Sequence, residues 1–326
     1  MYTRVKLFLT LFLLSHFSYA YGSPLKIDQY CQNMNSFFKK YNWGESSCSK
    51  LSWNHVRDSV QGNPLAWVTF GKEKEQNNDI TMVFCGVHGD EITPVKFCFD
   101  IIDHVVSMPN LENKLIIIAP LANPDSFFAK RPTRTNHRGV DINRNFPTND
   151  WNKLALNLWE KKYKKAPRRY PGPHAMSEPE TLFQVNLIKR YKPNKIISVH
   201  APLTMLDYDG PTFTPMEKNT PKAQKGILGK QLLVEMGEKA SNLKIKSYGT
   251  FPGSLGRWAG NEKHIPTYTL ELPSSNPGES QKYWNYYKNA IIHAFNHDLT
   301  LKEKEFTMKE KNTIVGAQVK NYGKKI

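Results

Sequence analysis

The chain is short of cysteine, short of acidic relative to basic residues, and without a long apolar run. Each shortage excludes something. The four cysteines, Cys31, Cys48, Cys85 and Cys98, show no zinc-ligand spacing, which disfavours metal binding by thiolate. No segment approaches the roughly 18 continuous apolar residues of a membrane-spanning helix. Internal repeats and long low-complexity linkers are also missing, so nothing divides the 326 residues into modules. A hydrophobic content of 39% against 23% charged residues is too apolar for a disordered chain and carries no collagen or coiled-coil signature. Only 29 Asp and Glu stand against 45 Lys and Arg, a formal net charge of +16. That surplus favours an anionic partner. Lys161, Lys162, Lys164, Lys165, Arg168 and Arg169 cluster in one stretch, and the segment after Leu301 is again lysine-rich. No nucleic-acid-binding motif accompanies them. An anionic cell wall suits an exported chain better, and a plain solvated lysine face is the competing reading.

Export is read from the first twenty residues. Arg4 and Lys6 form a positive start, Leu7 to Phe17 a short apolar run, and Ser18-Tyr19-Ala20 a small-residue cleavage site. As a helix the apolar run rises only about 16 Å, against roughly 30 Å of hydrocarbon. Residues 1–20 are therefore expected to be a removed signal peptide, 21–300 the folded domain, and 301–326 a lysine-rich tail. No membrane anchor is expected after cleavage. In an oxidising compartment an even number of cysteines suggests disulfides. Cys31 with Cys48 would staple the N-terminal segment, and Cys85 with Cys98 is a second candidate pair. Cys85 also reads as a buried strand residue able to stay reduced.

Short apolar runs at Ile80 to Cys85, Leu115 to Ala119, Lys195 to Val199 and Tyr268 to Leu270 are rich in β-branched or aromatic residues and stop at Gly, Pro or a polar side chain. They read as buried strands. Helical patterns lie between them, among them Pro94 to Ser107 and Glu178 to Arg190. The second is expected to open on Ser177 as N-cap, with Glu180 completing a capping box. Alternating strands and helices predict a single α/β domain: a mixed, mostly parallel twisted sheet with helices on both faces.

The chemistry follows the strands. The first runs into Gly86-Val87-His88-Gly89-Asp90-Glu91, the third ends on His200, and the fourth ends on Glu271. Ligands of open α/β sheets bind outside the carboxyl ends of the strands, and polar side chains buried there are costly without a purpose. His88, Glu91 and His200 together offer two imidazoles and a carboxylate. That is the donor set of a catalytic zinc site with one position left for water, where the bound water's pKa falls towards about 7.

At these residues the chain resembles the zinc carboxypeptidase family. The resemblance rests on His88-Gly89-Asp90-Glu91, Asn123-Pro124-Asp125, Gly139 to Phe146, Ser177-Glu178-Pro179-Glu180-Thr181, His200 and Leu270-Glu271-Leu272. Ser126 departs from it, because the family normally carries Gly there. The resemblance implies one Zn²⁺ per chain on His88, Glu91 and His200, with Asp141 taking the spare ring N–H of His88. It implies Glu271 as general base and Asn143 with Arg144 gripping a terminal carboxylate. Tyr248 would cover the substrate, and Arg134 would stabilise the oxyanion, with Arg131 and Arg138 as rivals for that role. Leu203 to Gly210 and Thr250 to Gly260 should line the specificity pocket, where Asp207 and Asp209 could meet an ammonium group, with plain solvated loop acids as the competing reading.

The stretch before His88 is too short for the inhibitory prodomain of digestive members. Arg131-x-x-Arg134-x-Asn136, His200-Ala201-Pro202-Leu203 and Pro252 to Gly256 are most similar to the murein peptide amidase A branch, whose members cut the γ-D-glutamyl–meso-diaminopimelate bond. The resemblance implies a murein peptide or peptidoglycan substrate and, with the leader, action in the periplasm. A general carboxypeptidase for ordinary peptides, an N-acyl-amino-acid deacylase, and a wall-binding module without catalysis are the alternatives. The long loops between Trp151 and Gly172 argue against the deacylase, and the intact ligand set with Glu271 against the module.

Overall fold

A computed structural model describes residues 24–73, 79–241 and 243–300. The expected leader at 1–20 and tail at 301–326 lie outside these. In chain order the elements are α1 (Pro24–Lys40), β1 (Asn54–Asp58), β2 (Pro64–Gly71), β3 (Asp79–Phe84), α2 (Thr93–Val106), β4 (Lys114–Ala119) and the single turn α3 (Pro124–Phe127). There follow α4 (Trp151–Asn157), α5 (Pro179–Tyr191), β5 (Lys195–His200), β6 (Met205–Asp209), α6 (Pro221–Lys239), β7 (Lys244–Ile245), β8 (Thr267–Glu271) and α7 (Ser280–Asn296).

The eight strands form one sheet in the order β1-β2-β4-β3-β5-β8-β6-β7. Its centre, β4-β3-β5-β8, is parallel, and antiparallel strands flank it. Alternation along each strand feeds two cores. Val83, Ile116, Ile118, Ile197 and Val199 face one layer with α1, α2, α6 and α7. Met82, Phe84, Leu115, Ile117 and Ile196 face the other, with α5 and the turn at Gly256–Glu262. Both faces being covered, the central strands read as continuous apolar runs. The four strand readings and the helix at Thr93–Val106 hold to within a residue or so at each end.

Two expectations are corrected. The helix α5 starts from Glu178, with no side-chain cap. Pro179 occupies its first turn, where a missing N–H costs nothing. The Ser177 hydroxyl is spent on Glu178, and the Glu180 oxygens accept one from the Val60 N–H in the β1–β2 turn and one from the Asn136 amide. Cys85 is also not a free thiol. The helix α2 packs back on the sheet and places Cys98 with its Cα 6.3 Å from that of Cys85, forming a disulfide, and Cys31–Cys48 closes the second.

Candidate active site

Three loops and strand ends meet at the carboxyl edge of the parallel block. The chain leaves β3 through Gly86 at φ +57°, where a Cβ would stand 2.6 Å from a Leu121 methyl, so only glycine turns here without a clash. That turn delivers His88 and Glu91. The strand β5 ends on His200, and its neighbour β8 pairs Glu271 in register with His200.

His88, Glu91 and His200 are buried, and their three candidate ligand atoms lie within 4.8 Å of one another. His88 Nδ1 stands 2.7 Å from Glu91 Oε1, and His200 Nδ1 stands 2.9 Å from Glu91 Oε2. Both outer nitrogens are held from behind, His88 Nε2 by Asp141 Oδ1 at 3.2 Å and His200 Nε2 by Ser198 Oγ at 2.9 Å. Two imidazoles turned inward on the same ring atom, each fixed by an outer partner, are what a zinc centre requires of its ligands. The donor set therefore fits the ion. Burial opposes the charge on Glu91, but the two histidines outweigh it and hold its carboxyl far below the usual range. Asp141 is pulled the same way against its burial by Arg134 and Arg144.

Glu271 completes the group. Its Oε2 is buried with no hydrogen-bond partner among the described residues. Burial raises its pKa, His200 opposes the rise, and Glu91 adds to it. Arg134 donates from Nε to Asp141 Oδ2 at 2.8 Å and from Nη1 to Glu91 Oε1 at 3.3 Å. Of the three arginines weighed for the oxyanion role, it alone lines the cavity. Arg131 is exposed, and Arg138 lies against Glu178 at 3.7 Å.

The cavity has a volume of about 520 Å³. Asn143 and Arg144 form one wall. The Arg144 guanidinium lies 4.5 Å over the Phe251 ring, and the Asn143 side-chain oxygen accepts from the Leu255 N–H at 2.9 Å. Asp207 and Asp209, alternate residues of β6, also line the cavity, and burial raises the pKa of both, that of Asp209 to about 7. Gly256 makes room for Asp209, whose carboxylate a Cβ there would meet at 1.8 Å. Tyr248 sits half-exposed at the rim, its backbone N–H on Asp207 Oδ1 at 3.1 Å.

His88, Glu91, His200, Glu271, Arg134, Asn143, Arg144 and Tyr248 thus line one cavity, and Asp141 stands behind His88. Sequence reasoning missed Ser198 and the position of Arg168 and Arg169 at the mouth, and it quoted Asn136 within a motif without giving it a role. The Asn136 amide bridges Glu178 and Glu180 at 2.7 and 2.9 Å, while its oxygen accepts from the Arg138 and Val140 N–H groups. It shapes the loop between Arg134 and Asp141. Ser126, where the resemblance expects Gly, fastens the other end of that loop by accepting from Thr133 N–H at 2.8 Å and donating to Thr133 O at 2.7 Å.

A family model described as zinc carboxypeptidase matches residues 42–316. Murein peptide amidase A of Vibrio campbellii (strain ATCC BAA-1116) is 29% identical over 245 residues, 74% of this chain and 86% of that protein. The protein of the same name from Escherichia coli K12 is 26% identical over 235 residues, 70% and 85% of the two chains. Among solved structures, carboxypeptidase A from Helicoverpa armigera superposes with a TM-score of 0.59 at 16% identity, covering 86% of this chain and 74% of that one. Thrombin activatable fibrinolysis inhibitor does so with a TM-score of 0.60, at the same identity and coverage. These two likenesses establish the shared fold.

Proposed function

The chain belongs to the zinc carboxypeptidase family of zinc-dependent peptide hydrolases, and from that premise we propose that it trims murein peptides at the γ-D-glutamyl–meso-diaminopimelate amide bond. The observation that carries this reading is the charge layout of one cavity. A His-Glu-His cluster and Glu271 stand beside an Arg144–Asn143 wall, with Asp207 and Asp209 beyond and two further arginines at the mouth. A terminal diaminopimelate offers a carboxylate for the guanidinium and a distal ammonium for the aspartates. The γ-linked glutamate offers a free carboxylate towards the mouth. The relatives named murein peptide amidase A support the same substrate.

His88, Glu91 and His200 would hold the zinc, with Asp141 and Ser198 fixing the ring orientations. When bound, zinc supplies a Lewis acid that polarises the amide carbonyl and acidifies water. Arg144 and Asn143 anchor the terminal carboxylate, which sets the scissile bond over the cluster. Glu271 takes a proton from the attacking water and returns it to the departing amine. Arg134 faces the charge that develops on the carbonyl oxygen. Tyr248 closes over the bound residue from the rim.

The leader at residues 1–20 would carry the chain to the periplasm, where 21–300 would act and 301–326 would trail as a basic tail. Incubation of the zinc-loaded protein with L-alanyl-γ-D-glutamyl-meso-diaminopimelate should release free diaminopimelate, followed by mass spectrometry. Absence of release removes the reading, and rapid cleavage of ordinary L-peptides instead would establish a general carboxypeptidase.

A further inference from the structure

Away from the cleft, a second group of metal-type side chains has no part in the reaction. Glu235 lies on α6, His293 in the last turn of α7, and His297 caps that helix. Candidate ligand atoms of all three lie within 4.8 Å of one another. His293 Nε2 stands 2.7 Å and His297 Nδ1 stands 3.1 Å from the same oxygen, Oε2 of Glu235. The histidines are four residues apart, which places both rings on one side of the helix end.

We infer that Glu235, His293 and His297 form a second divalent-metal site, of the zinc class, that cross-links α6 to α7. Two imidazoles with one carboxylate suit Zn²⁺, Cu²⁺ or Ni²⁺ and suit Ca²⁺ or Mg²⁺ poorly. The side chains remain 18–27% exposed, so an ion can enter from solvent and keep water in its remaining position.

The site is also held in place before any ion arrives. The other oxygen of Glu235 accepts from the Gln231 amide at 2.8 Å. The main-chain oxygen of His297 accepts from the buried Lys195 ammonium at 2.8 Å, and its N–H donates to His293 O at 2.9 Å. Ligands fixed from behind lose little freedom on binding. Zinc-type ligand atoms about 2.0–2.1 Å from the ion stand somewhat further apart than the present contacts.

The test is zinc content, measured by elemental mass spectrometry on the untagged full chain after equilibration with micromolar Zn²⁺. The native chain should hold two ions. His293→Ala and His297→Ala should each hold one and keep native turnover, and the second equivalent of zinc should raise the thermal midpoint of the native chain alone. Should an alanine variant misfold by circular dichroism, Glu235→Gln, which preserves side-chain volume, must lose the same ion. One zinc in the native chain, or two that survive loss of either histidine, overturns the assignment. The catalytic centre is scored separately by His88→Ala, which should keep only the α6–α7 ion.

Discussion

Glu271 shows how one side chain acquires a task from its surroundings. It ends the strand Thr267–Glu271 beside the buried Tyr268 and Leu270, and it pairs in register with His200, its Oε2 lacking a partner among the described residues. Burial raises its proton affinity, and the nearby imidazole limits the rise. A carboxyl with raised proton affinity and a free oxygen in the cleft is suited to general-base work. Glu271→Ala should lower kcat by about 10²–10⁴ while the zinc content of the catalytic centre stays unchanged. Near-native turnover in that variant would remove the general-base role. His200 and Glu271 were legible in the sequence because each ends a strand on a polar side chain, and His88 and Glu91 because their motif follows directly on a strand. Ser198 was not, since a serine inside a strand looks ordinary until His200 is seen to lean on it. The bridging role of Asn136, visible in the sequence only as a motif residue, was equally silent, because its partners Glu178 and Glu180 lie more than one loop away.

At the scale of elements, the strands were readable from their apolar runs, whereas the start of α5 was not. A Ser followed by Glu at the right interval signals a cap only when neither side chain has a better partner, and here the loop through Asn136 is one. That loop leaves Glu180 fully buried, with its pKa raised by burial to about 7 and lowered only partly by Asn136. The folded state therefore holds a proton that the unfolded chain gives up at about 4.5. Stability contributed at low pH must fall as pH rises from about 4.5 to about 7, by a total on the order of 3 kcal/mol. Glu180→Gln should shrink that decline in denaturation midpoints measured across this window, and an unaltered decline would show the proton resides elsewhere. The starts of β3 and β5 are joined by a second buried contact, the Lys195 ammonium on Asp79. Asp79→Ala takes away the nearest carboxylate from a buried cation and should cost about 3–5 kcal/mol in urea denaturation. Adding Lys195→Met should restore much of the loss. If the double variant is no more stable than the single, the pair is not the source.

Across the whole molecule, charge and cavity are connected in a way that composition alone did not reveal. The surplus of +16 reads as a general attraction to anions, yet the stretch containing Lys161, Lys162, Lys164, Arg168 and Arg169 is placed against the reaction site. Arg168 and Arg169 reach the cavity mouth, the first held by Asp90 at 2.6 Å and the second 4.5 Å over the Tyr163 ring. The lysines before them are exposed. A polymeric anionic wall meets many of these charges at once, while a soluble tripeptide meets only those inside the cleft. Long-range attraction depends on the screening length, which shortens from about 30 Å at 0.01 M salt to about 8 Å at 0.15 M. Raising salt over this range should slow release of diaminopimelate from intact murein far more than from the tripeptide. Replacing Lys161, Lys162 and Lys164 together with Gln should lower activity on the wall at low salt and flatten its salt dependence, with tripeptide turnover unchanged. Equal salt dependence for both substrates would mean that the basic face plays no part in bringing the enzyme to its substrate, and that the cleft does all of the recognising.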